Sequence, residues 1–537
     1  MKKLGLQLFL LTICLGSIVK AQKSTDISSS LQEKIPVWLY KNNVPAVGIG
    51  IIEDGKINYL KVFGELKKGV PALDNTIFNV ASITKPVVGI LTLKLVEAGQ
   101  WVLDEPLYHY WVDPDVANDP LHKKLTTRHV LTHQTGFINW RGEHPTKKLT
   151  FDFEPGTNYQ YSGEGFQYLK KALENKFEKT LSELSDSLLF KPLGMKDTRY
   201  FWDKNMDESR FACWHDSKGE LARPSTPKGR GVNAAGSLLT TIDDFCKFSI
   251  YVINGAGLSP DIYNDMINPH VQLKEHYAKG LGWEIVTDLP DDEYALEHSG
   301  SDNGVQTMFF VLPKSKRGIV VLTNGDNGMF VYNNIIKESF DIGKNVLDGL
   351  KGKDYKLVTL SDEILEKYPG TYLDSRGRTL TIMKEDSALK MSGNGLPTVK
   401  LYPESESKFF MEDFDVQFEF INEDSLVVVA YGKIDFTAKR IKHPPKVKLS
   451  DDILERYVGT YVRLDNNSDL HVIKENDILK LTGETVPPMD LYPIGENSFF
   501  TKELGVQFDF IKDESDKITK MNVVGNGKLL CETKRKY

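Results

Sequence analysis

The C-terminal third of the chain repeats itself, and that duplication constrains the fold more than any other feature. Leu360-Ser-Asp-Glu-Ile-Leu-Glu-Lys-Tyr368-Pro-Gly-Thr-Tyr372 returns as Leu449-Ser-Asp-Asp-Ile-Leu-Glu-Arg-Tyr457-Val-Gly-Thr-Tyr461. Leu401-Tyr402-Pro403 matches Leu491-Tyr492-Pro493, and Val416-Gln-Phe-Glu-Phe-Ile421 matches Val506-Gln-Phe-Asp-Phe-Ile511. The offset is 89 between Tyr372 and Tyr461 and 90 between Tyr402 and Tyr492, so a single inserted residue separates the copies. Two copies of this length are too few and too long for a solenoid and predict two tandem domains. In each, a short helix precedes short runs of period two, bounded by Gly, Asn and Asp. That pattern predicts antiparallel strands closed into a small barrel. Gly395, Tyr402, Phe409 and Phe410 read as turn and core residues, and Lys442-His443-Pro444-Pro445-Lys446 reads as the linker. The copies resemble the small lipocalin-like barrels appended to exported hydrolases.

The whole chain has 537 residues, enough for two to four domains at roughly 100–200 residues each. Its 40% hydrophobic and 26% charged content is ordinary globular composition. A formal net charge of −7 without a basic block argues against a nucleic-acid partner. Lys2 and Lys3 followed by the apolar run Leu4–Val19 and a small residue, Ala21, fit a secretory signal peptide over residues 1–21. The expected location is therefore exported, periplasmic or secreted, with no transmembrane segment once the signal is removed. Ile13 precedes Cys14, where a lipid-anchored cysteine would want a small residue, so Cys14 belongs to the discarded signal. Cys213, Cys246 and Cys531 are too scattered for a disulfide framework, and at most one pair could bridge.

From about Val37 to Asn345 helical and strand patterns alternate. Val44–Ile52 and Lys56–Phe63 read as a strand pair around Glu53-Asp54-Gly55. Pro86–Glu97 reads as a buried helix ending at Gly99, Arg317–Thr323 as a core strand, and Asn333–Ile342 as the last helix of this region.

Ser82-Ile-Thr-Lys85 stands at the mouth of the predicted buried helix. Three residues are about one helical turn, so hydroxyl and amine share a face. A serine hydroxyl needs a neighbouring base to become a nucleophile, and an amine desolvated in a pocket can be that base. The spacing alone says little, because Ser225–Lys228, Ser387–Lys390 and Ser405–Lys408 share it without opening an apolar helix. His129 and His133 are four apart, but no Glu-x-x-His context supports zinc. The Gly-x-Ser-x-Gly elbow and the phosphate-binding Gly-x-x-x-x-Gly-Lys-Ser/Thr loop are both missing from the sequence.

Two further segments complete a set. Asn158-Tyr159-Gln160-Tyr161-Ser162-Gly163 follows Glu154-Pro155-Gly156, and Glu297-His298-Ser299-Gly300-Ser301 precedes a predicted strand from Val305 to Leu312. With Ser82–Lys85 they resemble the Ser-x-x-Lys, Tyr-x-Asn and Lys-Thr-Gly motifs of the serine β-lactamase and penicillin-binding protein superfamily. Leu131–Gly136, Pro192–Thr198, Ala235–Asp244 and Gly280–Trp283 resemble its class C branch, in the same order.

The resemblance implies an α/β fold: a β-lactamase-like domain, with an antiparallel sheet flanked by helices plus an all-helical subdomain, followed by the two barrels. The expected domains are residues 22–350, 351–443 and 444–537. It also implies that Ser82 forms an acyl-enzyme, that Lys85 helps take its proton, and that Tyr161 is general base and later general acid. The backbone N–H groups of Ser82 and Ser301 would form the oxyanion hole. His298, Ser299 and Gly300 would bind substrate, with Gly300 leaving room for it along the strand. No cofactor and no metal is implied; the partner is a small-molecule or peptide substrate, and the oligomeric state stays open.

Two positions depart from the family pattern. Gly163 stands where Asn is usual, and His298 where Lys is usual. Such His-x-Gly variants resemble esterases and D-amino-acid peptidases more than efficient β-lactamases. An unperturbed His298 would be a cation mainly below about pH 6.5 and would then favour carboxylate-bearing substrates. The sequence thus predicts a serine hydrolase for small esters, D-amino-acid peptides or amides and, weakly, β-lactams. The rival reading is a non-catalytic penicillin-binding-like protein that recognises peptidoglycan-type ligands.

Overall fold

Alternation and turn chemistry decide where the first strands form. Apolar residues fill both faces of β1 (Ala46–Glu53), and Asp54 and Gly55 both take positive φ in the tight turn that returns the chain as β2 (Lys56–Lys67). The computed structural model describes residues 29–202, 206–223, 231–351 and 355–536, except 377, 394–395, 413, 431–432, 442–446, 484–485, 502–505 and 526–527. The signal segment with Cys14, Ser225–Lys228, Gly395 and the Lys442–Lys446 linker lie outside the described residues.

The chain divides into two compact units, residues 1–354 with 395–397, and residues 355–394 with 398–537. The first is built on a nine-stranded antiparallel sheet. Its further strands are β3 (Val70–Pro71), β6 (Val271–Lys274), β7 (Tyr277–Lys279), β8 (Glu284–Val286), β9 (Ala295–Asp302), β10 (Val305–Leu312) and β11 (Arg317–Thr323), in the order β3-β2-β1-β11-β10-β9-β8-β7-β6. Two short strands outside it, β4 (Phe78–Asn79) and β5 (Leu239–Thr240), pair with each other.

Both sheet faces are covered, which explains why the central strands are apolar throughout. Val47, Ile49, Ile51, Ile319 and Val321 pack with Leu31, Ile35 and Leu39 of the helix at 29–41 and with Val331, Ile335 and Val346 near the end of this unit. The opposite face, through Val320, Leu322 and Phe309, packs on the Thr84–Glu97 and Ile242–Ile253 helices. Gly50 permits the close approach of the latter, since a Cβ there would stand 2.1 Å from Cys246 Sγ. Cys213, Cys246 and Cys531 are all free thiols. Between β4 and β5 lies the helical region, including Thr127–Leu131 and Gly163–Phe177.

The predicted strands Arg317–Thr323 and Val305–Leu312 form with those bounds. The last helix of this region does not. A helix runs over Gly328–Ser339, and another, Gly343–Lys351, follows it and buries Val346 and Leu347.

The second unit contains two closed eight-stranded antiparallel barrels, β12–β19 within Gly370–Arg440 and β20–β27 within Gly459–Lys536. Short helices, Asp362–Leu365 and Asp451–Glu455, precede them. The repeated tyrosines do repeated work. Tyr372 donates to the Tyr368 carbonyl at 2.8 Å, and Tyr461 donates to the Tyr457 carbonyl at 2.8 Å. Phe409 and Phe410 are buried.

Among the described residues, no helix is long and apolar enough to cross a membrane.

Candidate active site

The Thr84–Glu97 helix is buried over most of its circumference and begins through a short 3-10 turn, Ala81–Ile83, that carries Ser82. Ala81 sits at φ 46°, a strained conformation for a residue with a Cβ. Two side chains hold it there: Asn79 Oδ1 accepts from the Ala81 N–H at 2.7 Å, and Thr84 donates to the Ala81 carbonyl at 2.7 Å.

One turn on, Lys85 Nζ donates to Ser82 Oγ at 3.0 Å and to the Ala235 carbonyl at 2.8 Å. It also lies 4.7 Å from the centre of the Tyr161 ring, whose hydroxyl hydrogen-bonds Ser82. Lys85 is buried, and desolvation together with the nearby Lys279 ammonium lowers its pKa to about 7, against the opposing pull of Glu284. Burial and the Glu284 carboxylate drive the Tyr161 phenol up, so it keeps its proton. That ordering differs from the expected roles: the amine, not the phenol, is the group poised to accept a proton near neutrality.

His133 buttresses Tyr161. Its ring centroid lies 4.3 Å from the Tyr161 ring, and its Nδ1 accepts from the Ser162 N–H at 3.1 Å. Fully buried beside cations, it is held neutral. His129 Nδ1 instead accepts from the Thr126 N–H in a capping box, so the two histidines do separate structural work.

At Gly163 an added Cβ would stand 2.5 Å from the Trp140 indole, which fills the space a side chain there would need. At Gly300 an added Cβ would lie 2.2 Å from the Val80 carbonyl oxygen. This glycine therefore has a packing role beside the expected one. It lets β9 approach the backbone just before the Ser82 turn, and Thr307 Oγ1 bridges the two by donating to the same Val80 carbonyl at 3.1 Å.

His298 departs from the expected behaviour as well. It is 3% exposed, its ring lies 6.4 Å from that of Tyr161, and its Nδ1 donates to the Ser299 carbonyl at 2.6 Å. Desolvation, helped by Lys279 and Lys85, lowers its pKa to about 4 against the pull of Glu284, so it is neutral from pH 5.5 to 8.5. Ser299 and Ser301 are exposed on β9, and Ser301 Oγ accepts from Gln306 Nε2 at 2.9 Å. The β8 pairing stops at Glu284↔Glu297, and among the described residues no strand pairs with the β9 edge beyond it from that side.

Sequence reasoning passed over the floor of this site. Lys279 and Glu284 form a buried pair at 2.8 Å, and Tyr277 donates to Glu297 at 2.7 Å. Burial and the neighbouring Glu284 raise the Glu297 pKa to about 8, so it holds a proton at neutral pH. Charged residues in short strands look like solvent-facing positions, and only the proximity of Gly280–Trp283 to Lys279 and Glu284 hinted otherwise. Among the described residues, no cluster of His, Cys, Asp and Glu is arranged to hold a metal ion.

A sheet covered on both faces, with Ser82, Lys85 and Tyr161 meeting below one strand edge, defines a serine β-lactamase and penicillin-binding-protein type of hydrolase fold. A family model described as Beta-lactamase matches residues 27–338, more than half of the chain, and the chain belongs to that family. It is 24% identical over 411 residues to penicillin-binding protein 4* of Bacillus subtilis, covering 70% of this chain and 89% of that one. The structure of the octameric penicillin-binding protein homologue from Pyrococcus abyssi matches at TM-score 0.54 and 20% identity, covering 86% of this chain and 99% of the other. A class C beta-lactamase structure matches at TM-score 0.51 and 19% identity, covering 62% and 98%. The superfamily consists generally of serine hydrolases.

Proposed function

We propose that the protein is an exported serine hydrolase acting through an acyl-Ser82 intermediate on small esters and D-amino-acid peptides or amides. The observation that carries this reading is Lys85, desolvated and near pKa 7, on Ser82 Oγ at 3.0 Å. The neutral amine takes the Ser82 proton as Oγ bonds to the substrate carbonyl carbon. The oxyanion settles on the backbone N–H groups of Ser82 and Ser301. As the tetrahedral adduct collapses, the leaving oxygen or nitrogen is protonated by Tyr161, whose proton is replenished from Lys85. Water, deprotonated by Lys85, then attacks the acyl carbon, and the C–Oγ bond breaks as Lys85 returns the proton to Ser82 Oγ and the acid departs.

The unpaired β9 edge suits an extended acyl chain or peptide. A neutral His298 removes the cation that would anchor a substrate carboxylate, and Gly163 removes a side-chain amide. Both features favour esters and peptides over β-lactams, which should acylate slowly.

Incubation with p-nitrophenyl esters and a fluorescent penicillin, followed by intact-mass measurement, tests the reading. A transient acyl adduct on Ser82 is expected. Ser82→Ala should abolish it, and Tyr161→Phe should slow turnover by about 10²–10⁴-fold, as for a lost proton-transfer group. Unchanged ester turnover by Ser82→Ala would overturn the mechanism. Specific ligand binding without any adduct would favour the non-catalytic rival.

A further inference from the structure

Beneath Ser82 one buried carboxylate faces two basic groups and pairs with one of them. Lys279 closes β7 wholly shielded from solvent, and its Nζ donates to Glu284 Oε1 at 2.8 Å. Glu284 Oε2 faces His298 Nε2 at 3.4 Å, and neither of these two buried atoms has a hydrogen-bond partner among the described residues. Lys279 donates to the carboxylate, and its field opposes protonation of the ring.

The other titratable groups facing this pair come from every neighbouring element. Lys85 comes from the Thr84–Glu97 helix, and His133 from the loop after Thr127–Leu131. Tyr159 and Tyr161 come from the segment before the Gly163–Phe177 helix, Glu297 from β9, and Tyr277 from β7 itself. Glu297 holds its proton and the histidines are neutral, which leaves the Lys279–Glu284 ion pair at 2.8 Å as the buried pair at the centre of this cluster.

We propose that Lys279, paired with Glu284, is a positioning residue that supplies the buried positive charge of this site from β7, in place of a lysine at position 298 of β9, and so keeps Lys85 a free base for Ser82. The inference rests on the acyl-serine reading above. Its logic is that the charge is needed once. With no ammonium, Glu284 is a buried carboxylate without a counter-ion, and Lys85 and His298 take up protons to neutralise it. With two, one carboxylate cannot serve both. Positions 279 and 298 are therefore expected to trade the ammonium.

The test is the pH profile of kcat/KM for a neutral p-nitrophenyl ester in the full-length chain carrying Lys279→Met, His298→Lys, or both. In Lys279→Met the acid-side midpoint is expected to move up by about one pH unit or more, with about a tenfold loss at pH 7. His298→Lys alone is expected to be impaired, and the double variant to regain most of the parental midpoint and rate. A rate lost in Lys279→Met with an unmoved midpoint would show a merely structural lysine and overturn the inference. So would a double variant no better than either single one. If Lys279→Met does not fold, the remaining pair decides: the double variant must fold and outperform His298→Lys. A parent chain that acylates Ser82 at no pH would instead overturn the hydrolase reading. The pair would then be judged on thermal midpoints alone, where additive losses at 279 and 298 would refute the trade.

Discussion

At position 298 the intrinsic chemistry of histidine and its surroundings pull in opposite directions. An exposed imidazole titrates near 6.5, whereas the buried ring of His298 titrates at about 4. Between those values the unfolded chain binds the proton and the folded chain does not, so stability falls as pH drops from about 6.5 toward 4. This one group accounts for about 3 kcal/mol over that window. In urea unfolding at pH 6.5 and 4.5, His298→Gln is expected to show a shallower acid-side loss than the parent; equal slopes would place the proton elsewhere. The ratio of carboxylate-bearing to neutral ester turnover should likewise stay flat between pH 5.5 and 8.5, not fall as an unperturbed histidine would require. The identities of Ser82, Lys85 and Tyr161 were legible because spacing and motif order are local properties. The protonation of His298 was not, because it depends first on burial and then on Glu284 and Lys279, which the pairing of β7, β8 and β9 brings to it.

Elements place the nucleophile by close backbone approach. The Ser82 turn and β9 meet where Gly300 faces the Val80 carbonyl and Thr307 ties the contact. Gly300→Ala would press a methyl group against the Val80 carbonyl, so the turn must shift. A displacement of about 1 Å at a reacting group costs on the order of 10²-fold. Acylation of Ser82, followed by intact mass, is expected to slow by about that factor. A Gly300→Ala enzyme with parental acylation would show that the turn does not depend on this approach. Sequence marked the glycine but assigned it to substrate space, since nothing local to β9 announces the Val80 carbonyl. The strands Val305–Leu312 and Arg317–Thr323 were legible to the residue because their apolar runs end at turn residues. The final helices were not: Phe340-Asp341-Ile342 continues the apolar pattern across a break, and Gly343 starts a new helix.

On the scale of the whole chain the two sorts of periodicity make separate cores. Those of the first unit draw on residues between Leu31 and Leu347, and that of the second barrel on residues between Leu454 and Met521. The duplicated segments were legible because each copy restates its own tyrosines, strand alternation and turn residues, and every such signal is local. Whether the chemistry needs the barrels is a different matter, and the domain limits near residues 350 and 443 remain proposals that truncation can examine. The cut must respect the last helix: Lys274 Nζ donates to the carbonyls of Leu350 and Lys351 at 3.0 and 2.7 Å, and a Cβ on Gly349 would lie 2.4 Å from Val286. Stopping inside that helix would uncover Val346 and Leu347 and remove these two acceptors from Lys274. A chain ending at residue 354 keeps both, together with Ser82, Lys85, Tyr161 and the Lys279–Glu284 pair. Units with their own cores usually stand alone. This shortened chain is therefore expected to unfold cooperatively within a few degrees of the first transition of the full chain and to acylate Ser82 within about threefold of its rate. A shortened chain that folds yet fails to acylate would mean that the barrels complete the site, and one that does not fold would move the boundary of the catalytic unit beyond residue 354.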